Sequence, residues 1–294
     1  MATNPGQTTG LPFGTPWTLA AYWATASRSG LTQVNALPDQ SLNILNNQFQ
    51  IPSAFSNLAA AYAMGANAAN AQLVAPSLRK YATHYVFPVD AASNPASNPP
   101  LEYMGFYNPL PITTGDLLQG LVDNSNNSEY DLVAVWLCNS QRRPVTGQIF
   151  TAWAKSSTTI TANAWTLGQL SMQTTLEEGT YAIVGMYVHF NGALLARLVF
   201  PGVANAIRPG VIASTSATKF MPLIFRYGRL GVWGTFDAAV LPQVEFLGTA
   251  ATTSENVYLD LVKLTVGSQA MQPSYPGQPI TTAMGVSPAP VPLY

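Results

Sequence analysis

Residues able to carry chemistry are few in this chain, and they are scattered. The two histidines, His84 and His189, each fall in an apolar run beside aromatics. Neither has the His-Glu-x-x-His or Cys-x-x-Cys spacing that would make it a metal ligand, so both read as structural. Cys138 is the single cysteine and closes the run Leu132-Val-Ala-Val-Trp-Leu-Cys138, where a thiol behaves as a small core hydrophobe. No Gly-x-Ser-x-Gly elbow accompanies it. Paired carboxylates across a cleft could cleave a glycosidic bond, and two pairs exist. Glu129 and Asp131 are spaced to share a strand face but follow Asn124-Ser-Asn-Asn-Ser128, and Glu177 and Glu178 lie in the turn-like Leu176-Glu-Glu-Gly-Thr180. Both pairs read as solvated turn charges.

Phosphate chemistry has no better footing. Gly228, Gly231 and Gly234 are spaced like a glycine-rich loop, yet they lack a following Gly-Lys-Ser/Thr and the strand-to-helix context. They read as turn glycines. Arg142-Arg143 and the pair Arg226/Arg229 are too small to track a phosphate backbone. Asn126-Asn127-Ser128 matches a glycosylation acceptor but reads as a chance match, because Met1–Trp17 has neither the basic nor the apolar region of a signal peptide. The expectation is no catalytic residue, no cofactor and no metal. Aromatics are the informative surplus, at 11% of the chain, as in Tyr103-Met-Gly-Phe-Tyr107 and between Phe225 and Trp233. A carbohydrate-binding β-sandwich could use such rings as a platform, and core or interface packing would explain them equally.

The elements that would hold these residues divide into three zones. Residues 1–80 are expected to form an N-terminal arm or helical segment. Spacings such as Leu42, Leu45, Phe49 and Leu58, Tyr62 suit amphipathic helix over Ser41–Phe49 and Ser53–Leu73, with Ser53 as an N-cap. Residues 81–266 read as a β domain, with strands at His84–Val89, Tyr103–Tyr107, Tyr130–Cys138, Val145–Ala154, Tyr181–Phe190, Leu194–Phe200, Pro222–Tyr227, Gly231–Phe236, Gln243–Leu247 and Val257–Val266. Asn191-Gly192 is the strongest hairpin signal, and Tyr227-Gly-Arg-Leu-Gly231 suggests a second tight reversal. Residues 267–294 are Pro-rich, as in Gln272-Pro-Ser-Tyr-Pro-Gly-Gln-Pro279, which favours extended chain and suits a terminal arm. The fold class expected is mainly β, an antiparallel jelly-roll sandwich or barrel. One roll fits the strand count better than two full-sized ones, with two compressed barrels as the other arrangement, and no internal repeat is visible.

Composition supplies the functional clue. Charged residues are 9% of the chain and the net charge is −1, against about 25% charged residues in an ordinary soluble domain. No overall field exists to hold a polyanion or an anionic membrane. Arg28 and Asp39 are the sole charges before residue 79, and 267–294 has none. A surface covered by copies of the same chain does not need a charged exterior. The most apolar N-terminal stretch, Ala54–Ala75, is too polar to span a bilayer, and a lone cysteine fits synthesis in a reducing cytoplasm.

A β-rich middle between nearly uncharged terminal arms resembles a viral coat protein of the jelly-roll kind, across the whole chain and without a signature motif. The resemblance implies self-assembly into an icosahedral shell, location in the virion, and copies of itself as partners. Other capsid or spike proteins and an internal membrane are further candidate partners. Coat proteins that package RNA directly often carry a basic N-terminal arm, and Met1–Leu78 has one basic residue. That departure shifts the expectation away from direct nucleic-acid binding and towards shells of DNA phages or archaeal viruses. A carbohydrate- or receptor-binding sandwich, such as a virion spike, is the alternative.

Overall fold

Apolar runs bounded by Gly, Pro and Asn dictate strands here, and strands dominate the computed structural model, which describes residues 17–25, 30–39, 41–65, 68–80, 85–89, 101–103, 109–124, 130–139, 145, 148–200, 207–215 and 222–264. The first half holds β1 (Trp17–Thr25), β2 (Gly30–Ala36), β3 (Asn43–Leu45), β4 (Gln48–Gln50), β5 (Asn57–Gly65), β6 (Ala68–Val74), β7 (Tyr85–Pro88), β8 (Leu101–Tyr103), β9 (Leu110–Pro111), β10 (Leu117–Asn124) and β11 (Tyr130–Cys138). The second holds β12 (Phe150–Ser156), β13 (Thr166–Gln169), β14 (Ser171–Met172), β15 (Thr180–Phe190), β16 (Ala193–Val199), β17 (Gly210–Ile212), β18 (Ser214–Thr215), β19 (Gly234–Asp237), β20 (Gln243–Gly248) and β21 (Glu255–Leu264). Among the described residues the helical elements are two single 3-10 turns, Ser77–Lys80 and Leu223–Phe225.

Strand order repeats between the halves. In the first, β1-β11-β5-β8 form one sheet and β2-β10-β6-β7 the other, with β3 and β4 added beside β10. Strand β2 bends between them, pairing with β1 at Asn35 and Ala36 and with β10 from Gly30 to Val34. In the second, the sheets run β12-β21-β15-β19 and β13-β20-β16-β17. Strand β14 extends the first of these beside β12, and β18 lies parallel to the end of β15. Numbering the eight principal strands of each half in chain order gives 1-8-3-6 and 2-7-4-5 both times. Apart from the β15–β18 contact, the paired strands are antiparallel.

Residue alternation explains how the halves meet. In β1, Ala20, Tyr22 and Ala24 face the interior of the first half, while Trp17, Leu19, Ala21 and Trp23 join the core shared with the second half. The sheet β1-β11-β5 is therefore buried on both faces, and its strands are mostly apolar, with Thr18 and Asp131 buried among them. Its outer face is covered by β17 and the turn at Leu223–Phe225. Trp17 packs edge-on to Trp233 at 4.9 Å, Trp136 stacks on Phe225 at 5.7 Å, and Trp136 Nε1 donates to Gly210 O at 2.9 Å. Burying each of these four rings is worth ~1.5–3 kcal/mol, so the halves are joined mainly by apolar contact.

That double burial corrects the helical expectation for the N-terminal zone. Ser53–Leu73 is not helix but the strands β5 and β6, and Ser41–Phe49 holds the hairpin β3–β4, closed by Asn46 and Asn47 at φ 52° and 61°. Ala59, Ala60, Ala61 and Ala63 all have zero exposure in β5. A strand packed on both sides shows no polar alternation, and a run of small residues then imitates a helix. β1 and β5 pair with β11, and β2 and β6 with β10, so these residues share sheets with the middle zone. Pro222–Tyr227, expected as strand, is instead the 3-10 turn at Leu223–Phe225 followed by a reversal.

The Asn191-Gly192 turn forms, with Gly192 at φ 68°, yet β15 and β16 lie in different sheets and do not pair with each other. Both strands bury nearly every side chain, and each pairs within its own sheet. Residues 267–294, expected as a Pro-rich arm, lie outside the described residues.

Candidate functional site

The candidate chemical groups do not converge. Cys138 is fully buried at the end of β11 and faces the shared core. Asp131 is buried on the same strand, whereas Glu129 lies outside the described residues. Glu177 and Glu178 are exposed in the turn before β15, and Glu177 pairs with Lys263, whose ammonium holds its carboxyl below the ordinary range. His84, Asn126–Ser128, Arg142 and Arg143 also lie outside the described residues. Gly228 and Gly231 have φ of 74° each in the reversal after Arg226, where Gly231 N donates to Gly228 O at 3.0 Å. Gly234 begins β19 against the ring of Phe200. Among the described residues no group of three His, Cys, Asp or Glu side chains could hold a metal ion.

Charged residues set inside apolar strands do converge, in two buried networks. Arg197, in Leu194-Leu-Ala-Arg-Leu198, donates through Nε to Glu245 at 2.6 Å and through Nη1 to Asp39 at 2.5 Å and Leu19 O at 2.9 Å. Its guanidinium carbon sits 4.0 Å from the Trp165 ring centroid. Asp39 and Leu19 belong to the first half, so this arginine fixes one half against the other. The second network centres on Asp260, whose two oxygens accept from Arg226 Nε at 2.6 Å and Nη2 at 2.7 Å. Thr151 Oγ1 at 2.7 Å and the Tyr227 amide at 2.8 Å complete it. Burial alone would lower the Arg226 pKa, but the hydrogen bonds and charge of Asp260 outweigh it and raise it. Gly185 lies at a bulge in β15 where a Cβ would run into Asp260 and come within 2.9 Å of Phe225 O. Arg226 is therefore a buried structural cation, and Arg229 alone of that pair is exposed.

One surface has the character of a binding site. On the outer face of β12, β21 and β15, cross-strand register lines up Trp153, Tyr258 and Tyr187 in one rung. Lys155, Asn256, His189 and Ser214 make the next. Ring centroids of Trp153 and Tyr258 are 6.5 Å apart, and those of Tyr258 and Tyr187 are 5.6 Å apart. Lys155 Nζ lies 4.8 Å from the Trp153 ring, and Trp153 Nε1 donates to Asn256 Oδ1 at 3.2 Å. Trp153, Tyr258, Asn256 and His189 are half-buried and Lys155 is exposed. Burial raises the pKa of Tyr187, with the Ser214 hydrogen bond opposing it.

A shallow cleft of about 390 Å³ adjoins this face, lined by Lys155, Thr158, Gln169, Ser171 and Gln173. It is tied to the aromatic rung by the Gln173 amide, which donates to Trp153 O at 2.8 Å. Behind it, Glu255 is fully buried opposite Ser156. Burial pushes its carboxyl up to about 7, the Ser156 hydroxyl and nearby amides of Thr158 and Ser254 offsetting this only in part.

Comparison of the chain with known protein families, with curated proteins and with solved structures finds no match. The site residues that sequence reasoning missed, Arg197, Asp260 and Trp153, did carry a signal. Each interrupts or decorates an apolar strand, and a charge at such a position must find a partner inside.

Proposed function

We propose that this chain is the self-assembling subunit of an icosahedral viral coat shell, built as two jelly rolls in tandem. The observation that carries the reading is the doubled strand order, 1-8-3-6 facing 2-7-4-5 in each half, which is the connectivity of an eight-stranded jelly roll. Fold alone does not give function, so surface chemistry supplies the second support. Of 25 charged residues, Asp131, Arg197, Arg208, Arg226, Glu245, Glu255 and Asp260 are buried, and the Asp39 side chain is fully enclosed. The exterior is therefore poorer in charge than the composition implies.

The outer face of β2-β10-β6-β7 is an instance. Its cross-strand rungs read Gln33, Leu121, Gln72, Val86 and Leu31, Asp123, Asn70, Pro88, with Asp123 the one charge among them. Leu31 and Val86 are 46% and 55% exposed. Such a face suits a self-contact made of apolar area and amide hydrogen bonds, of the size class above ~2,000 Å² that obligate assemblies use. Its strength does not depend on ion pairs that salt would screen.

Negative-stain microscopy of the purified full chain tests the reading: closed shells or sheets are expected, and discrete monomers at high concentration would refute it. Particles should stay intact when salt is raised from about 0.1 to 1 M, where exposed charges more than ~3 Å apart are screened. Dissolution by ionic strength alone would overturn the uncharged-interface mechanism.

A further inference from the structure

We infer that the outer face of β12-β21-β15, with the cleft beside it, is a binding site for a pyranose glycan. The inference does not depend on the shell reading, because the site lies within one copy of the chain. A pyranose ring presents an apolar C–H face and a rim of hydroxyls, so a site for it needs aromatic surface flanked by donors and acceptors. The register provides that combination in adjacent rungs. Trp153 and Tyr258, both half-buried, offer the aromatic surface, with Tyr187 buried at the end of their rung, and Lys155 and Asn256 supply an ammonium and an amide one rung away.

The cleft continues the polar side. Gln169 and Gln173 bring amide donors and acceptors, and Thr158 and Ser171 bring hydroxyls, around a volume of about 390 Å³. The Gln173 side chain is anchored by donation to Ser171 O at 3.2 Å, and the Thr158 hydroxyl lies 3.0 Å from that of Ser156. Its lining carries one charge, Lys155, for which no ion pair occurs among the described residues. Nucleic acid would require more cations than this. A proline-rich segment would use the rings but leave the amide and hydroxyl lining unanswered.

The test uses the full chain against a panel of oligosaccharides spanning hexose, N-acetylhexosamine, fucose and uronate residues, with saturation-transfer NMR and titration calorimetry on the tightest member. Saturable binding is expected, weakened at least tenfold by Trp153→Ala and at least threefold by Lys155→Ala and by Gln173→Ala. Lys155 and Gln173 are exposed, so those two variants keep the test decisive if Trp153→Ala fails to fold. Binding of no panel member would overturn the inference, as would binding that all three substitutions leave unchanged. A photo-crosslinker at position 153 that captures residues 267–294 of the chain would also overturn it, by showing that the Pro-rich segment occupies the face.

Discussion

Glu255 offers a test of the energetics in which the sign of the effect changes meaning with pH. It sits fully buried at the start of β21, and its carboxyl is pushed up to about 7 from an ordinary 4.5. Between those two values the folded chain binds a proton that the unfolded chain has released. Stability contributed by this group is therefore complete below about 4.5 and is lost as pH rises through about 7. At ~1.36 kcal/mol for each tenfold change in acidity, the ionised carboxylate costs the fold at most about 3 kcal/mol at pH 8 and above. Relaxation of the surrounding chain around the charged carboxylate reduces this to about 1–2 kcal/mol. Glu255→Gln removes the titration and keeps the shape. Urea unfolding of both proteins at pH 5, 7 and 9 should give a stability difference that moves in favour of the variant by that amount between pH 5 and pH 9. In thermal scans this is roughly 2–8 °C. A difference that stays constant over the range, or moves the other way, would refute the claim that burial of Glu255 dominates its environment.

Other outcomes follow from the same geometry. Arg226→Met leaves the Asp260 carboxylate buried without its fork and should cost about 3–5 kcal/mol in denaturant unfolding. Adding Asp260→Leu to it should recover part of that loss. Gly192→Ala places a Cβ 3.1 Å from Ala250 Cβ at a φ of 68° and should destabilise by about 1–2 kcal/mol, read by the same titration. Cys138 should resist a thiol reagent in the native protein and react stoichiometrically in denaturant, because its side chain faces the shared core.

Four long strands from Tyr130 onward were legible because they obey simple rules. Tyr130–Cys138, Tyr181–Phe190, Leu194–Phe200 and Gln243–Leu247 match β11, β15, β16 and β20 to within a residue at each end. What escaped was the part of the first half before β11, for a physical reason. Its central sheet has neighbours on both faces, so β5 reads Asn57-Leu-Ala-Ala-Ala-Tyr-Ala-Met-Gly65 with no polar beat. The doubling of the fold was invisible as well, because a strand order can repeat while the residues that form it do not. β1 and β12 fill equivalent places as Trp17-Thr-Leu-Ala-Ala-Tyr-Trp-Ala-Thr25 and Phe150-Thr-Ala-Trp-Ala-Lys-Ser156. The aromatic composition was visible from the start, but which rings face outward depended on register. Phe225 and Trp233 went into the shared core and Trp153 to the surface.

The ring-lined outer face of β1-β11-β5 bears on how the protein is made. All eight principal strands of the first half have left the ribosome soon after Cys138, yet the residues that cover Trp17 and Trp136 are Phe225 and Trp233. At ~5–20 residues per second, the nascent chain takes roughly 5–20 s to supply them. During that interval a half-made chain presents a sticky indole surface to its neighbours on the same messenger. The halves are thus not interchangeable cassettes, and a chain halted between them is the species a chaperone would meet.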